Sequence, residues 1–313
     1  MKPPVSLHGC PAPAKLNLYL HVTGRRPDGY HEIETVFELV DLADRLDFRL
    51  RDDGRIGLTR PLPGVEPERE LCLRAARLLA EASGTCPGVD ITVRKRIPMG
   101  AGLGGGSSDA ATTLLALNRL WGIGWPAERL AELGARLGAD VPVFVHGRPA
   151  YATGIGDRLE PIDTTGAAPR YYLVLMPPVE VPTAVVFGAP SLTRDSKPLK
   201  IFGLSRGLEV FRGRNDLETV VCGKFPAVAA ALAALRRAAS GIDPERAGMA
   251  RMSGSGASVF MPVVDVEQGE RIRSRIQPTD VGEAIVVRSL DRHPLRDWAF
   301  PAAGPSRPTA SGC

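Results

Sequence analysis

Between Pro98 and Ala111 the chain reads P-M-G-A-G-L-G-G-G-S-S-D-A-A, with five glycines in the seven residues from Gly100 to Gly106. Without Cβ atoms, such a loop can turn its N–H groups inward and let a ligand approach the backbone closely. Ser107, Ser108 and Asp109 are N-cap residue types, and Ala110 to Leu117 is a strong helix former. The segment therefore predicts a loop that delivers an anion to a helix N-terminus, where the dipole is worth roughly half a positive charge. Several phosphates in a row suit that device.

Three readings compete with a phosphate loop of the glycine-serine type. Gly100, Gly102 and Gly105 satisfy the G-x-G-x-x-G spacing of a dinucleotide fold. The helix that follows leads to Trp121-Gly-Ile-Gly-Trp125 and another helix, however, not to a strand ending in an acid. A Walker loop would close on Lys-Ser/Thr, which is missing. A plain hinge would not need so many glycines directly ahead of a capped helix.

Around this loop the pattern is mixed. Lys15 to Thr23 alternates strictly, with Leu16, Leu18, Leu20 and Val22 on one face, and predicts a half-buried strand. Glu32 to Val40 and Arg45 to Arg51 predict further strands, and Asp52-Asp53-Gly54 a hairpin into Ile56 to Thr59. Helical spacing from Leu71 ends at Gly84, a C-cap. Val89 to Val93 reads as a strand, Ser107 to Leu120 and Pro126 to Leu137 as helices, and Tyr171 to Met176 as a strand. Phe225 to Ala239, then Ser258 to Val263, Val266 to Ile276 and Ala284 to Leu290 complete a helix, strand, helix, strand series. Strands cluster early and then mix with helices without regular βαβ alternation, which predicts an α+β fold in two lobes. The boundary is expected within Asp163 to Arg170, giving domains 1–163 and 164–300. A disordered Pro/Ala/Gly/Ser tail is expected over 301–313.

Bulk properties narrow the function. Basic residues number 39 and acidic ones 35, interspersed, for a net charge of +4. No nucleic-acid stripe results, though an anionic substrate is compatible. Cys10, Cys72, Cys86, Cys222 and Cys313 are scattered, with no C-x-x-C pair, so a reducing cytoplasm is expected and zinc is not. No signal-peptide core stands at the proline-rich start, and the longest apolar run, Pro226 to Leu235, is too short to span a bilayer. No membrane, nucleic-acid or obligate protein partner is expected.

Three stretches resemble the motifs of the GHMP kinases, in order and spacing: P-A-K-L-N-L at Pro13 to Leu18, the glycine-rich loop, and M-S-G-S-G-A-S-V-F at Met252 to Phe260. Further pointers are R-R-P-D-G-Y-H-E-I-E-T-V-F (Arg25 to Phe37), L-G-A-D-V-P-V-F (Leu137 to Phe144) and N-D-L-E (Asn215 to Glu218). They are similar to the branch of that family whose substrate carries a cytidine diphosphate on methylerythritol. The resemblance implies an N-terminal ATP-binding lobe, a C-terminal substrate lobe and a cleft between them. It also implies ATP and magnesium as cofactors, and phosphoryl transfer to the erythritol 2-hydroxyl in the non-mevalonate route to isoprenoids.

Roles carried over residue by residue follow from the same resemblance. Asp140 would accept the hydroxyl proton, and Lys15 would stabilise that carboxylate and the reacting oxygens. Pro98, Gly100, Gly102, Leu103, Gly104, Gly105, Gly106, Ser107 and Ser108 would hold the ATP phosphates. Magnesium would meet a hydroxyl from Ser107 or Ser108, a choice left open. Lys95 falls on the adenine side. Tyr30 and Phe187 would stack on cytosine, His31 would read its edge, and Asn17 would contact substrate near the reacting end. Gly254, Ser255 and Gly256, after Ser253, would shape the site. One position departs from the pattern: Glu70 stands where relatives commonly carry asparagine, which leaves the adenine contacts open.

Overall fold

The computed structural model describes residues 5–85, 87–164, 167–199, 211–277 and 281–299. The expected tail, Cys86 and Cys313 lie outside them. Two long strands dominate, β1 (Ser6–Arg25) and β2 (His31–Arg51), paired antiparallel with Lys15 opposite Leu39 and Asn17 opposite Phe37. Register shifts between Pro13/Ala14 and Asn17/Leu20 mark bulges on either side of Lys15 and Asn17, a device that re-aims side chains beside functional sites.

The expected half-buried β1 is in fact buried on both faces. Lys15, Asn17, Tyr19 and His21 are all buried. Burial of that polar face is possible because each group finds a partner: Tyr19 donates its hydroxyl to Glu34 at 2.7 Å, and the Asn17 amide donates to Thr35 Oγ1 at 2.9 Å. The expected hairpin at Asp52-Asp53-Gly54 does not form either. Strand β4 (Gly88–Arg94) takes the edge of β2, so β3 (Ile56–Leu58) pairs with the far side of β4, in parallel.

Among the described residues ten strands join one hydrogen-bonded sheet. Its second part runs through β7 (Tyr171–Met176), β8 (Arg251–Met252), β9 (Val259–Val263) and β10 (Glu283–Leu290), and β10 returns to β2 through Ser289 and Leu290. Strands β5 (Ala150–Thr153) and β6 (Arg158–Pro161) follow β10 on the same edge of β2, opposite β1. Helices and strands are thus mixed in the α+β manner expected.

Helix α1 (Leu71–Ser83) ends at Gly84 in the left-handed region, as its sequence predicts. It packs with α2 (Gly105–Leu120), α3 (Ala127–Ala135) and α4 (Val141–His146) into one apolar core, which also takes Leu295 and Ala299 from the end of the described chain. A second core gathers α5 (Thr183–Phe187), α6 (Glu218–Lys224), α7 (Pro226–Ser240), α8 (Pro244–Ala247) and α9 (Val266–Arg273) against β7 and β9. A third holds β1, β7 and β9 together through Leu16, Leu18, Tyr172, Val174 and Phe260. No single helix among the described residues is long and apolar enough to cross a membrane.

Candidate functional site

The glycine-rich loop enters α2 without a side-chain cap. Gly104, at φ 73°, is the N-cap residue, so the helix starts at Gly105 and Ser107 to Asp109 lie inside the helix instead of capping it. A left-handed N-cap lets the chain turn directly into the helix, and the first N–H groups of a helix lack intrahelical acceptors. Gly104, Gly105, Gly106 and Ser107 line a cavity of about 530 Å³ together with Pro98, Gly100 and Gly102. Leu103 and Ser108 are buried away from it. Leu103 packs in the third core, with its carbonyl accepting from Lys15 N at 2.9 Å, and the Ser108 hydroxyl is sealed in without a partner.

Opposite the loop stands the second glycine turn. Ser253 Oγ donates to the carbonyl of Gly102 at 3.0 Å, Ala257 N to Gly100 O at 3.2 Å and Ser258 N to Ala101 O at 3.0 Å. The two loops are packed so tightly that a Cβ at Gly102 would lie 2.2 Å from Ser253 O. Asn215 Nδ2 holds the second turn, donating to the carbonyls of Met252 at 2.9 Å and Gly254 at 2.7 Å. Gly254, Ser255 and Gly256 line the same cavity.

Lys15 reaches into this space from β1. Its Nζ donates to Asn17 Oδ1 at 2.5 Å and to Gly102 O at 3.1 Å, and lies 3.5 Å from Asp140 Oδ2. The lysine side chain is 4% exposed and that of Asp140 is 34% exposed. Asp140 sits at the N-cap of α4, yet its side chain makes no cap bond. The cavity therefore brings together a buried cation, an accessible carboxylate and a row of helix N-terminal groups. Such a set can bind a polyanion and accept a proton beside it.

Lys95 has other partners. Its Nζ donates to Asp44 Oδ2 at 2.5 Å and Asp109 Oδ2 at 2.7 Å. Burial works against its charge, but the two carboxylates hold it above the ordinary lysine range. Burial raises Asp109 to about 8, against the pull of Lys95 and with the help of Asp44. Glu70 caps α1 by accepting from Leu73 N at 2.8 Å, which gives the position a structural task while it lines the cavity with Lys95, Leu62, Val65 and Met99.

A second cavity, of about 590 Å³, adjoins the first and shares Ile33, Ala139, Ile155, Thr183 and Phe187 with it. Tyr30, His31 and Phe187 line it. Tyr30 is 61% exposed on the β1–β2 turn, whereas the His31 and Phe187 rings lie 5.1 Å apart, tilted by 35°. All four groups expected near the substrate, Asn17, Tyr30, His31 and Phe187, line one cavity or the other. Sequence reasoning missed Arg194, which donates to His31, and Thr183, whose hydroxyl lies 2.8 Å from that of Ser255. Neither stands in a motif with a chemical signature.

The chain matches a family model described as the GHMP kinases N terminal domain over residues 70–148. It is 54% identical over 290 residues to a 4-diphosphocytidyl-2-C-methyl-D-erythritol kinase of Nitrosospira multiformis, covering 93% of this chain and 94% of that protein. A protein of the same name from Thiobacillus denitrificans is 51% identical, over 92% of this chain and 97% of its own. Among solved structures, a 4-(cytidine 5'-diphospho)-2C-methyl-D-erythritol kinase superposes with a TM-score of 0.71 at 36% identity, over 91% of this chain and 98% of its own. A mevalonate kinase shares the fold at a TM-score of 0.66 and 14% identity, over 92% of this chain and 100% of its own.

Proposed function

The chain belongs to the 4-diphosphocytidyl-2-C-methyl-D-erythritol kinases, a branch of the ATP-dependent GHMP kinases, and from that premise we propose how its residues divide the reaction. The γ-phosphoryl group of ATP goes to the 2-hydroxyl of 4-diphosphocytidyl-2-C-methyl-D-erythritol, leaving ADP and the 2-phosphate. Asp140 takes the hydroxyl proton as the oxygen attacks. Lys15 faces both Asp140 and the loop that holds the phosphates, so its charge offsets negative charge on the reacting oxygens. Phosphoryl transfer needs little else beyond alignment.

The phosphates lie along the N–H groups at the start of α2, and the adenine among Leu62, Val65 and Met99 on the Lys95 side. Cytosine enters the second cavity between Tyr30 and Phe187, with His31 at its edge. The single observation that carries this reading is the continuity of the two cavities. Residues that line the aromatic pocket also line the Lys15–Asp140 cavity, so a long diphosphate-linked substrate can reach from one to the other.

Magnesium fits a site of this kind. Among the described residues no group of three His, Cys, Asp or Glu could hold a metal unaided. Magnesium keeps several waters and takes one or two protein oxygens plus substrate phosphates. Ser107, which lines the cavity, and Asp140 have such oxygens; the Ser108 hydroxyl is buried away from it. The cation would neutralise phosphate charge there. Residues 1–163 would form the ATP-binding lobe and 164–300 the substrate lobe, with the segment around Leu295 crossing back to the first core. Free thiols at Cys10, Cys72 and Cys222 are in keeping with a cytoplasmic setting.

The test is direct. The protein is incubated with ATP, magnesium and either 4-diphosphocytidyl-2-C-methyl-D-erythritol, homoserine or mevalonate, and ADP is measured. ADP should appear with the cytidine substrate, and phosphorus NMR should locate the new phosphate on the 2-oxygen. Turnover confined to homoserine or mevalonate would overturn the assignment.

A further inference from the structure

Arg194 lies beyond α5 and spreads its guanidinium over four acceptors. Nη2 donates to the carbonyls of Phe187 at 3.1 Å and Ala189 at 2.8 Å, and Nη1 to that of Leu192 at 3.0 Å. The remaining Nε–H donates to Nε2 of His31 at 3.0 Å. A guanidinium carries five donors and no acceptor, and it does not lose its proton in a protein. Nε2 of His31 must therefore be the bare nitrogen. Burial, together with the charges of Arg194 and Arg25, holds this imidazole below its ordinary pKa and so neutral. Its one proton then sits on Nδ1.

The geometry points to Arg194 as a positioning residue that decides which pyrimidine the second cavity accepts: it fixes His31 as an Nδ1–H donor. A ring whose N3 is a bare acceptor, as in cytosine, can take that bond. A ring whose N3 carries hydrogen, as in uracil, would meet it donor against donor, leaving two polar groups unsatisfied in a partly desolvated pocket. An imidazole without Arg194 is free to move its proton to Nε2, and Nδ1 would then accept from uracil. The same arginine ties the end of the Phe187 helix to the His31 ring, so the stacking face and the reading edge share one anchor. This inference rests on reading Tyr30, His31 and Phe187 as a base site.

Two measurements test it. The first needs no arginine variant: the full wild-type chain labelled with ¹⁵N-histidine is examined by long-range ¹H–¹⁵N NMR, with the His31 signal assigned by its loss in His31→Gln. Nδ1 should be protonated and Nε2 bare. A wild-type ring with its proton on Nε2 overturns the proposal, and this arm stands even if an arginine variant fails to fold. The second compares kcat/KM for 4-diphosphocytidyl-2-C-methyl-D-erythritol and its uridine counterpart. Arg194→Met should lower the preference for cytidine by about ten-fold or more, and Arg194→Lys, which keeps a donor, should restore part of it. A folded Arg194→Met that keeps the preference, or loses activity equally on both substrates, reduces the arginine to a loop anchor and overturns the inference. Tyr30→Ala and Phe187→Ala, run beside it, separate the two ideas. If neither raises KM, the base site itself falls. If both do while Arg194→Met leaves the preference intact, only the role of Arg194 falls.

Discussion

Lys15 Nζ sits 3.5 Å from Asp140 Oδ2, while shorter bonds to Asn17 and Gly102 fix it in place. The ammonium is thus anchored on one side by β1 and the glycine loop, and presents its charge to the carboxylate on the other. Asp140→Asn keeps the shape and removes the proton acceptor. Turnover should fall by about 10²–10⁴-fold with nucleotide affinity little changed. Lys15→Met should lower turnover comparably. Steady-state kinetics with calorimetric nucleotide binding checks both, and near wild-type turnover would remove the residue concerned from the chemistry.

Gly104 tests how the loop and the lysine are coupled. Its φ of 73° is one that a side chain adopts only at a cost of roughly 1–2 kcal/mol. A Cβ there would lie 2.9 Å from the Phe144 ring and 3.1 Å from Lys15 Cγ. Gly104→Val should therefore damage more than phosphate binding. KM for ATP should rise, and kcat should fall as well because the lysine stem is displaced. A rise in KM at constant kcat would show that the loop yields without moving Lys15.

Much of this arrangement was legible in the chain. The glycine density before α2, the alternation of β1 and the spacing of Leu71 to Gly84 each reflect a local physical demand, and each predicted element is present. The order of the sheet was not legible, because β4 displaces β3 from the edge of β2 through pairing set by distant residues. The short α4 escaped notice, since six residues carry too little periodicity, although its first neighbour is Asp140. Lys15 and Asp140 could be named only as motif residues. Their proximity depends on bulges in β1 and on α4 packing against α2, which no local pattern encodes. Arg194 had no signature because its role lies in a hydrogen bond to a residue in another element.

His293 should make stability depend on acidity. Its ring is wholly buried, accepting from Leu295 N at 3.0 Å through Nδ1 and meeting Thr112 Oγ1 at 3.3 Å. Burial pushes its pKa from 6.5 down to about 3. Between those values the unfolded chain binds a proton that the folded chain refuses, so stability is fully present above about pH 6.5 and is lost as the pH falls towards 3. At pH 5 the loss from this residue is about 2 kcal/mol. Urea unfolding at pH 7 and pH 5 measures it. His293→Phe should be less stable at pH 7 but should lose less between the two; an unchanged slope would place the acid sensitivity elsewhere.

Lys95 is the residue where the sequence expectation and the geometry suggest different experiments. An adenine-side lysine predicts that Lys95→Met weakens ATP binding. In the structure the ammonium instead closes a buried cluster, bonded at once to Asp44 on β2 and Asp109 on α2. Asp44 also accepts from the backbone N–H groups of Arg96 and Ile97, at 2.5 Å and 2.9 Å, so it cannot swing away to find water. Removing one partner of a buried ion pair leaves an uncompensated charge and costs about 3–5 kcal/mol. Lys95→Met should therefore lower the melting temperature by many degrees, with any loss of ATP affinity secondary to it. Burial raises Asp109 towards its neutral form, and loss of the Lys95 charge removes the pull against that, so adding Asp109→Asn should change little, whereas adding Asp44→Asn should recover part of the lost stability by removing the stranded charge. Thermal melts of the single and double variants, read beside KM for ATP, decide the matter. A stable Lys95→Met with a raised KM for ATP would make the lysine a direct nucleotide contact and reduce the cluster to an incidental pairing.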